Sequence, residues 1–421
     1  MGLILACFRL CLTVVAPGAT AEDPAGPNLV LNYQDTIRFS GPDGQACTGL
    51  DADATGFLSY PGFPDLPVAT FTGDGFGGDG PGGKRIPVDS EGLYVNKDGT
   101  FWVSEEYGPY VYLFDSEGKM LTAIRPPDAI IPMRNGTESF SADSPPRYID
   151  DGDGPGPIPA DPDSGRDNNS GFEGMHVSDD GRTLWVMLQS AAVQEGGLKG
   201  KYRKYTRLLK YDISAPLSPA YAAEYVVPLP LYPDPDEDPD DNLRVAKQSE
   251  IHSLPNGQFL VLARDSGGGH GQARSQSVYR HIDVFDVSAA TDASAASAVD
   301  HDCATCAIAT TKAKLDADVA PARYCAWLDF NVDAQLARFG LHNGGAQDAS
   351  LLNEKWESIA LAPVDPTGDG EEGEEFFLFS LSDNDFITQN GFMDGGKLPY
   401  ADSSGYNLDS QALVFKVKIP K

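Results

Sequence analysis

Positive charge is what this chain lacks most. Its 421 residues hold 31 Lys and Arg against 62 Asp and Glu, for a formal net charge of -31 and a pI near 4.3. That balance argues against nucleic acid or an anionic membrane as partner, and an anionic substrate would need bound cations to approach. Past the N-terminus no stretch nears the ~20 apolar residues of a membrane span. Amphipathic helical periodicity is scarce. Nucleophile signatures are missing as well: there is no G-x-S-x-G elbow, Ser116-x-x-Lys119 falls in a strand-turn context, and the Arg-His-Gly signature of histidine acid phosphatases is absent. Metal-activated water fits what remains better than covalent catalysis.

Cysteine is sparse, with six in all. Residues 1–21 read as a signal peptide, apolar at the centre despite Arg9 and ending in Ala19-Thr20-Ala21. Its removal takes away Cys7 and Cys11 and leaves Cys47, Cys303, Cys306 and Cys325, an even set that suggests two disulfides with three pairings open. A metal knuckle at His301-Asp302-Cys303-x-x-Cys306 lacks a second close ligand pair. Sequons at Asn135 and Asn168 agree with a secreted, extracellular glycoprotein. Residues 22–421 are expected to form one domain, acting as a monomer on a small anionic or ester substrate.

What the chain does have is short alternating runs of Val, Leu, Phe, Tyr and Trp between Gly, Asp, Asn and Pro, the pattern of an all-β protein. Four segments share a template: a Glu, a short strand, a turn, an apolar strand, and polar residues where that strand emerges. They begin at Ser90, Phe172, Ser249 and Trp356. Asp98-Gly99, Asp180-Gly181 and Asn256-Gly257 are signals for two-residue hairpins. Repeated meanders of this kind predict a β-propeller, with about five or six blades and long insertions between them. Residues 44–72 suggest a degenerate blade, and a strand from Asn28 could close the ring with the C-terminus.

The first strand of a propeller blade lines the channel, so Glu91, Glu173, Glu250 and Glu357 should converge on one axis. Carboxylates gathered there would repel one another without a cation, and hard oxygen ligands suit a divalent metal, Ca2+ first. A second set follows the second strand: Glu105, Glu106, Gln189, Arg264, Asp265, Asp383, Asn384 and Asp385. Asp265 and His270 flank a glycine run and could handle protons, while Lys84, Arg85 and Arg264 could bind an anionic group. The basic stretch from Gly200 to Lys210 reads as a solvated face. His176 and His252 read as packing between blades. Gly73 to Lys84 matches two nucleotide-loop patterns, yet it leads through Pro81 and Pro87 into a strand, without the helix that either pattern requires.

Several of these motifs together resemble a known family. "GDGFGGDGPGGKRIPVDSEGL", "FWVSEEYGPYVY", "NNSGFEGM", "TRLLKYDIS", "SEIHSLPNGQFLVLARDSGGGHGQ", "RFGLHNGGAQDASLLNEKWESIAL" and "FSLSDNDFITQNG" are similar to the secreted fungal members of the phytase-like family. The resemblance spans nearly the whole mature chain. It implies a β-propeller and hydrolysis of a phosphoester or ester. True propeller phytases use calcium clusters to neutralise a polyphosphate, but their metal motifs do not match here residue by residue, so no ligand is carried over. The Glu-Gly pairs at Glu91 and Glu173 also resemble lactonase-type propellers, where a Glu before Gly holds a catalytic calcium. A non-catalytic extracellular propeller with structural calcium is the competing expectation.

Overall fold

A computed structural model describes residues 6–14, 29–75, 78–144, 148–150, 155–157, 159–196, 200–295, 297, 299–365, 374–393 and 396–419. Regular structure within them is nearly all strand. The α-helices are single turns at Val193–Gly196 and Asp333–Leu336. Four antiparallel meanders follow one another along the chain. The first contains Ser90–Val95, Phe101–Glu105, Val111–Phe114 and Met120–Ile124; the second Phe172–Val177, Thr183–Leu188, Tyr205–Asp212 and Ala220–Pro228. The third contains Lys247–Ser253, Gln258–Arg264, Arg280–Asp286 and Arg323–Asp329, and the fourth has three strands, Ala360–Pro363, Glu374–Leu381 and Ala412–Ile419.

This is a propeller arrangement with four blades, not the five or six that the template suggested. The insertions account for the difference. Instead of adding blades they form small hairpins, such as Met133–Arg134 with Thr137–Glu138 and Leu231–Pro233 with Leu243–Val245. Residues 44–72 likewise give short pairings and no blade. They belong to a wedge in which Phe39, Cys47, Leu66, Ile86 and Val88 cover Phe101, Val103, Tyr112 and Phe114 of the first sheet. Leu29–Arg38 pairs with Ala6–Val14 and not with the C-terminal strand. The cleavage pattern at Ala19-Thr20-Ala21 lies outside the described residues.

Turns and seams follow from local chemistry. The Asp-Gly and Asn-Gly turns are longer than two-residue hairpins: Asn96 pairs with Thr100, and Gly99 adopts φ 87° to close the loop between them. Apolar clusters then seal successive sheets. Trp102, Leu113, Met175, Val177 and Val186 join the first to the second; Met187, Leu208, Ile251, Phe259 and Val261 join the second to the third. Leu260, Leu262, Phe330, Trp356 and Leu378 join the third to the fourth. Each cluster removes several large side chains from water, at about 1.5–3 kcal/mol per fully buried residue.

Only one of the two expected disulfides exists among the described residues, Cys303 with Cys306. Cys47 is buried in the wedge and Cys325 is exposed on the outer strand of the third sheet, both as free thiols. Asn135 sits exposed at a hairpin tip, whereas the half-buried Asn168 donates its amide to Asp161 and accepts from Arg134.

Candidate functional site

Bulges at the start of the inner strands aim the acidic residues. In the first sheet pairing jumps from Ser90–Glu105 to Leu93–Val103, and in the second from Phe172–Leu188 to Met175–Val186. Glu91-Gly92 and Glu173-Gly174 fill those bulges. Both glycines are required by close approach: a Cβ at Gly92 would lie 2.9 Å from the Glu173 carbonyl oxygen, and one at Gly174 would lie 2.6 Å from the Ile251 nitrogen. The third sheet has no such glycine, and its pairing jumps from Gln248–Ala263 to Glu250–Leu262. Ser249 is therefore the extra residue, and Glu250 turns into the seam, where its Oε1 accepts from the backbone nitrogens of Met175 (3.0 Å) and Ile251 (2.8 Å).

Glu91 meets two carboxylates that flank the strands of its own sheet. One oxygen each of Asp89, Glu91 and Glu106 lies within 4.8 Å of the others. Glu106 is held in place from three directions. Its backbone nitrogen donates to the Asp89 carbonyl at 3.0 Å. The buried Glu105 carboxylate accepts from the nitrogens of Tyr107 and Gly108, just after it. The fully buried Arg166 donates to the carbonyls of Tyr107 and Phe140, both at 2.6 Å. Gln189 then donates its amide to Glu106 Oε1 at 3.0 Å and to Glu173 Oε1. Glu173 is 3% exposed, and its second oxygen, Oε2, is buried with no hydrogen-bond partner. Glu357 precedes the fourth sheet, and its charge reaches both Glu91 and Glu173.

Gathering these acids shifts their titration upward, against a smaller downward pull from Lys247, Lys355 and Arg264. Burial first, then neighbouring carboxylates, raise Glu91 and Glu106 well above the usual carboxylate range. Burial raises Asp89 to about 6, and burial with the Glu357 charge raises Glu173 to about 7. Ligands at the 2.3–2.6 Å typical of calcium sit about 4.6–5.2 Å apart across the ion, so the Asp89, Glu91 and Glu106 oxygens fit one coordination sphere. The orphaned Glu173 oxygen beside them is a further unsatisfied acceptor.

Next to the acids lies a cavity of about 310 Å3, lined by Gln189, Arg203, Lys247, Ser249, Arg264 and Asp265 among others. Gln189 is a shared wall. Its amide nitrogen serves the acids, and its Oε1 accepts from Lys247 Nζ at 2.7 Å. Arg264 donates to Glu357 Oε1 at 2.6 Å and to Ser249 Oγ at 3.2 Å. Burial, reinforced by the adjacent Arg203, lowers the Lys247 pKa.

The other expected residues lie elsewhere or are already engaged. Asp265 reaches the cavity wall, but its carboxylate accepts from Ser277 Oγ, Val278 N and Arg274. His270 is tied by its backbone nitrogen to Leu352 and packs edge-on against Tyr406, outside the cavity lining. Lys84 and Arg85 pair with Thr70 and Ala69, and Arg85 stacks on Phe71 at 4.6 Å; neither lines the cavity. The stretch from Gly200 is not a solvated face: Arg203 enters the cavity wall, and Arg207 is fully buried between Glu195 and Glu224. His176 and His252 pack with ring centroids 3.9 Å apart, tilted by 44°, between the second and third sheets.

Asp89, Arg203 and Lys247 escaped the sequence reading. Asp89 stands two residues before Glu91 and Lys247 three before Glu250, so proximity to the template was the available signal. Arg203 lay within the basic stretch from Gly200 that read as a solvated face, so its signal was present but pointed to solvent.

The model of the phytase-like family, described as esterase-like activity of phytase, matches residues 28–386. The chain belongs to that family. An uncharacterized secreted protein of Arthroderma benhamiae is 53% identical over 380 residues, which is 90% of this chain and 73% of the relative. Among solved structures, an N-acetylgalactosamine deacetylase from F. plautii, in complex with blood group B trisaccharide, aligns over 99% of this chain and 90% of its own. At 8% identity and a TM-score of 0.32, that likeness carries no argument. No helix of the described residues is long and apolar enough to cross a membrane.

Proposed function

We propose that this phytase-like protein is a secreted hydrolase of ester bonds, phosphoester or carboxylic ester, working at the carboxylate cluster of the channel. Asp89, Glu91 and Glu106 would hold one divalent cation, calcium by ligand type, with Glu173 as a further candidate ligand. The observation that carries this reading is the orphaned, buried Glu173 oxygen beside three carboxylates with one oxygen each within 4.8 Å of the others. A cation bound there supplies a Lewis acid that polarises an ester oxygen and lowers the pKa of water. The chain's own groups divide the remaining tasks. Gln189 orients Glu106 and Glu173, and Glu105 and Arg166 fix the loop behind Glu106.

The test is a panel of phosphomonoesters, phosphodiesters, carboxylic esters and lactones, assayed with calcium and with chelator. Activity is expected for at least one class, lost with chelator and reduced by about 100-fold or more in Glu91→Gln/Glu106→Gln, whose calcium affinity should fall in parallel. A blank panel with calcium binding intact would establish the competing reading, a ligand-binding propeller with structural metal.

A further inference from the structure

We propose that the floor of the cavity, formed by Arg203, Lys247 and Arg264, binds a singly charged oxyanion of the substrate, a carboxylate or a phosphodiester, in preference to a phosphomonoester dianion. The proposal rests on the hydrolytic reading of the neighbouring carboxylates and narrows its substrate.

Pairing among the charges is the basis. Arg203 is matched by Asp167, and Arg264 by Glu357 and, more loosely at 4.0 Å, by Glu354. Lys247 has no carboxylate in contact among the described residues. Its Nζ donates to two neutral acceptors, Gln189 Oε1 at 2.7 Å and Ser170 Oγ at 3.0 Å, which leaves the third N–H of an ammonium group without an acceptor. Arg203 Nε is buried with no partner either. That nitrogen is closed off from the cavity, so the floor offers one unused donor, on a cation whose direct partners are both neutral while the Glu106, Asp167 and Glu173 charges act on it from farther off. A single negative charge satisfies that arrangement. A second would face Asp234, which lines the same cavity, where Glu237 is already paired with Arg244.

Position ties this floor to the chemistry. Gln189 touches Lys247 on one side and Glu106 and Glu173 on the other, so an oxyanion on Lys247 lies one side chain away from the carboxylate cluster. The bound group would orient the substrate while a separate ester reaches the acids. Charge-assisted hydrogen bonds of this type contribute about 1.5–3 kcal/mol, roughly 10–100-fold in affinity.

The experiment is calorimetric titration of the calcium-loaded protein at pH 8 with four probes: benzoate, dimethyl phosphate, inorganic phosphate and benzamide. At least one monoanion should bind, weakened about tenfold or more by Lys247→Met and within about threefold of wild type in Lys247→Arg. Tighter binding of benzoate or of dimethyl phosphate identifies the carboxylate or the diester as the group selected. The proposal is overturned if inorganic phosphate, mostly a dianion at this pH, binds more tightly than both. It also fails if benzamide matches benzoate, or if Lys247→Met binds the monoanions as wild type does. Lys247→Gln, which keeps a donor and loses the charge, is read instead if Lys247→Met does not fold. The wild-type hydrolysis panel separates the two ideas: Lys247-dependent binding beside a blank wild-type panel upholds the oxyanion site and removes the hydrolytic reading, whereas an active panel beside binding that Lys247→Met leaves unchanged removes the oxyanion site alone.

Discussion

Between the first and second sheets the inner strands approach closely at a glycine, whereas between the fourth and first sheets apolar side chains are left facing solvent. Met175 and Val177 of the second sheet face back to the first and are buried. Their register equivalents in the first sheet, Leu93 and Val95, are 44% and 61% exposed. On the fourth sheet the alternate strand positions to Leu378 and Phe415, namely Phe377 and Val414, are also exposed. What links those two sheets near the channel is charge. Lys355, beside the fourth sheet, lowers the Asp89 pKa against burial, while Glu357 and Asp383 push it up. Three seams are thus held by apolar burial, while at the fourth opposed charges meet beside the carboxylate cluster, attractive from Lys355 and repulsive from Glu357 and Asp383. A site that gathers unmatched charge fits best where dense packing does not already fix every neighbour.

The largest effect should come from opening a sealed seam. Trp356 is fully buried between the third and fourth sheets, and Trp356→Ala is expected to cost about 3–5 kcal/mol in chemical denaturation. A loss below ~1 kcal/mol would mean that this seam is not an apolar core. Gly174→Ala comes next: its new Cβ meets backbone atoms of Ile251 and Glu250, so the strands must separate, at about 1–3 kcal/mol. Glu250, which bonds across that seam, should lose its contact to Met175 in the same variant, visible as faster amide exchange at Met175.

A smaller effect distinguishes the charged centre from the seams. Glu105 and Glu250 are raised by burial to about 8, Glu173 to about 7 and Asp89 to about 6, all above their unfolded values near 4. The folded state therefore binds more protons than the unfolded one between those limits, and stability should rise as pH falls from about 8 to 6.5. Below about 6.5 the buried His176 and His252, lowered to about 3 and about 4, act in the opposite sense, because the unfolded chain protonates first. Melting of metal-free protein should show the rise above pH 6.5, and calcium should shrink it; a flat profile would contradict the buried, unmatched carboxylates. The smallest effect belongs to the open seam. Val95→Thr should change stability by less than about 0.5 kcal/mol, since the side chain is mostly in water already.

Local pattern carried a good deal of this. The repeated Glu, strand and turn marked every inner strand, and Glu91-Gly92 and Glu173-Gly174 sit at equivalent bulges because each glycine is where two backbones meet. Glu250 looked like their equal, but without the glycine its pairing is one residue out, and in a strand one residue reverses the side chain's direction. Blade number was not legible, since an inserted hairpin and a blade strand share the same alternation. Of the cationic floor only Arg264 was picked out, because Arg203 comes from an irregular segment and Lys247 from the start of a strand outside the repeated template.

By itself the sequence determined the all-β character, the repeat, the acidic balance and the family, all of which reside in composition and short-range order. The tertiary structure decided which carboxylates meet, that Asp89 and Glu106 join Glu91 while Glu250 turns away, and that Lys247 stands beside them hydrogen-bonded to the neutral Gln189 and Ser170. Those outcomes depend on how sheets close around an axis, and the distances across that axis join residues far apart in the chain, beyond the reach of any local period.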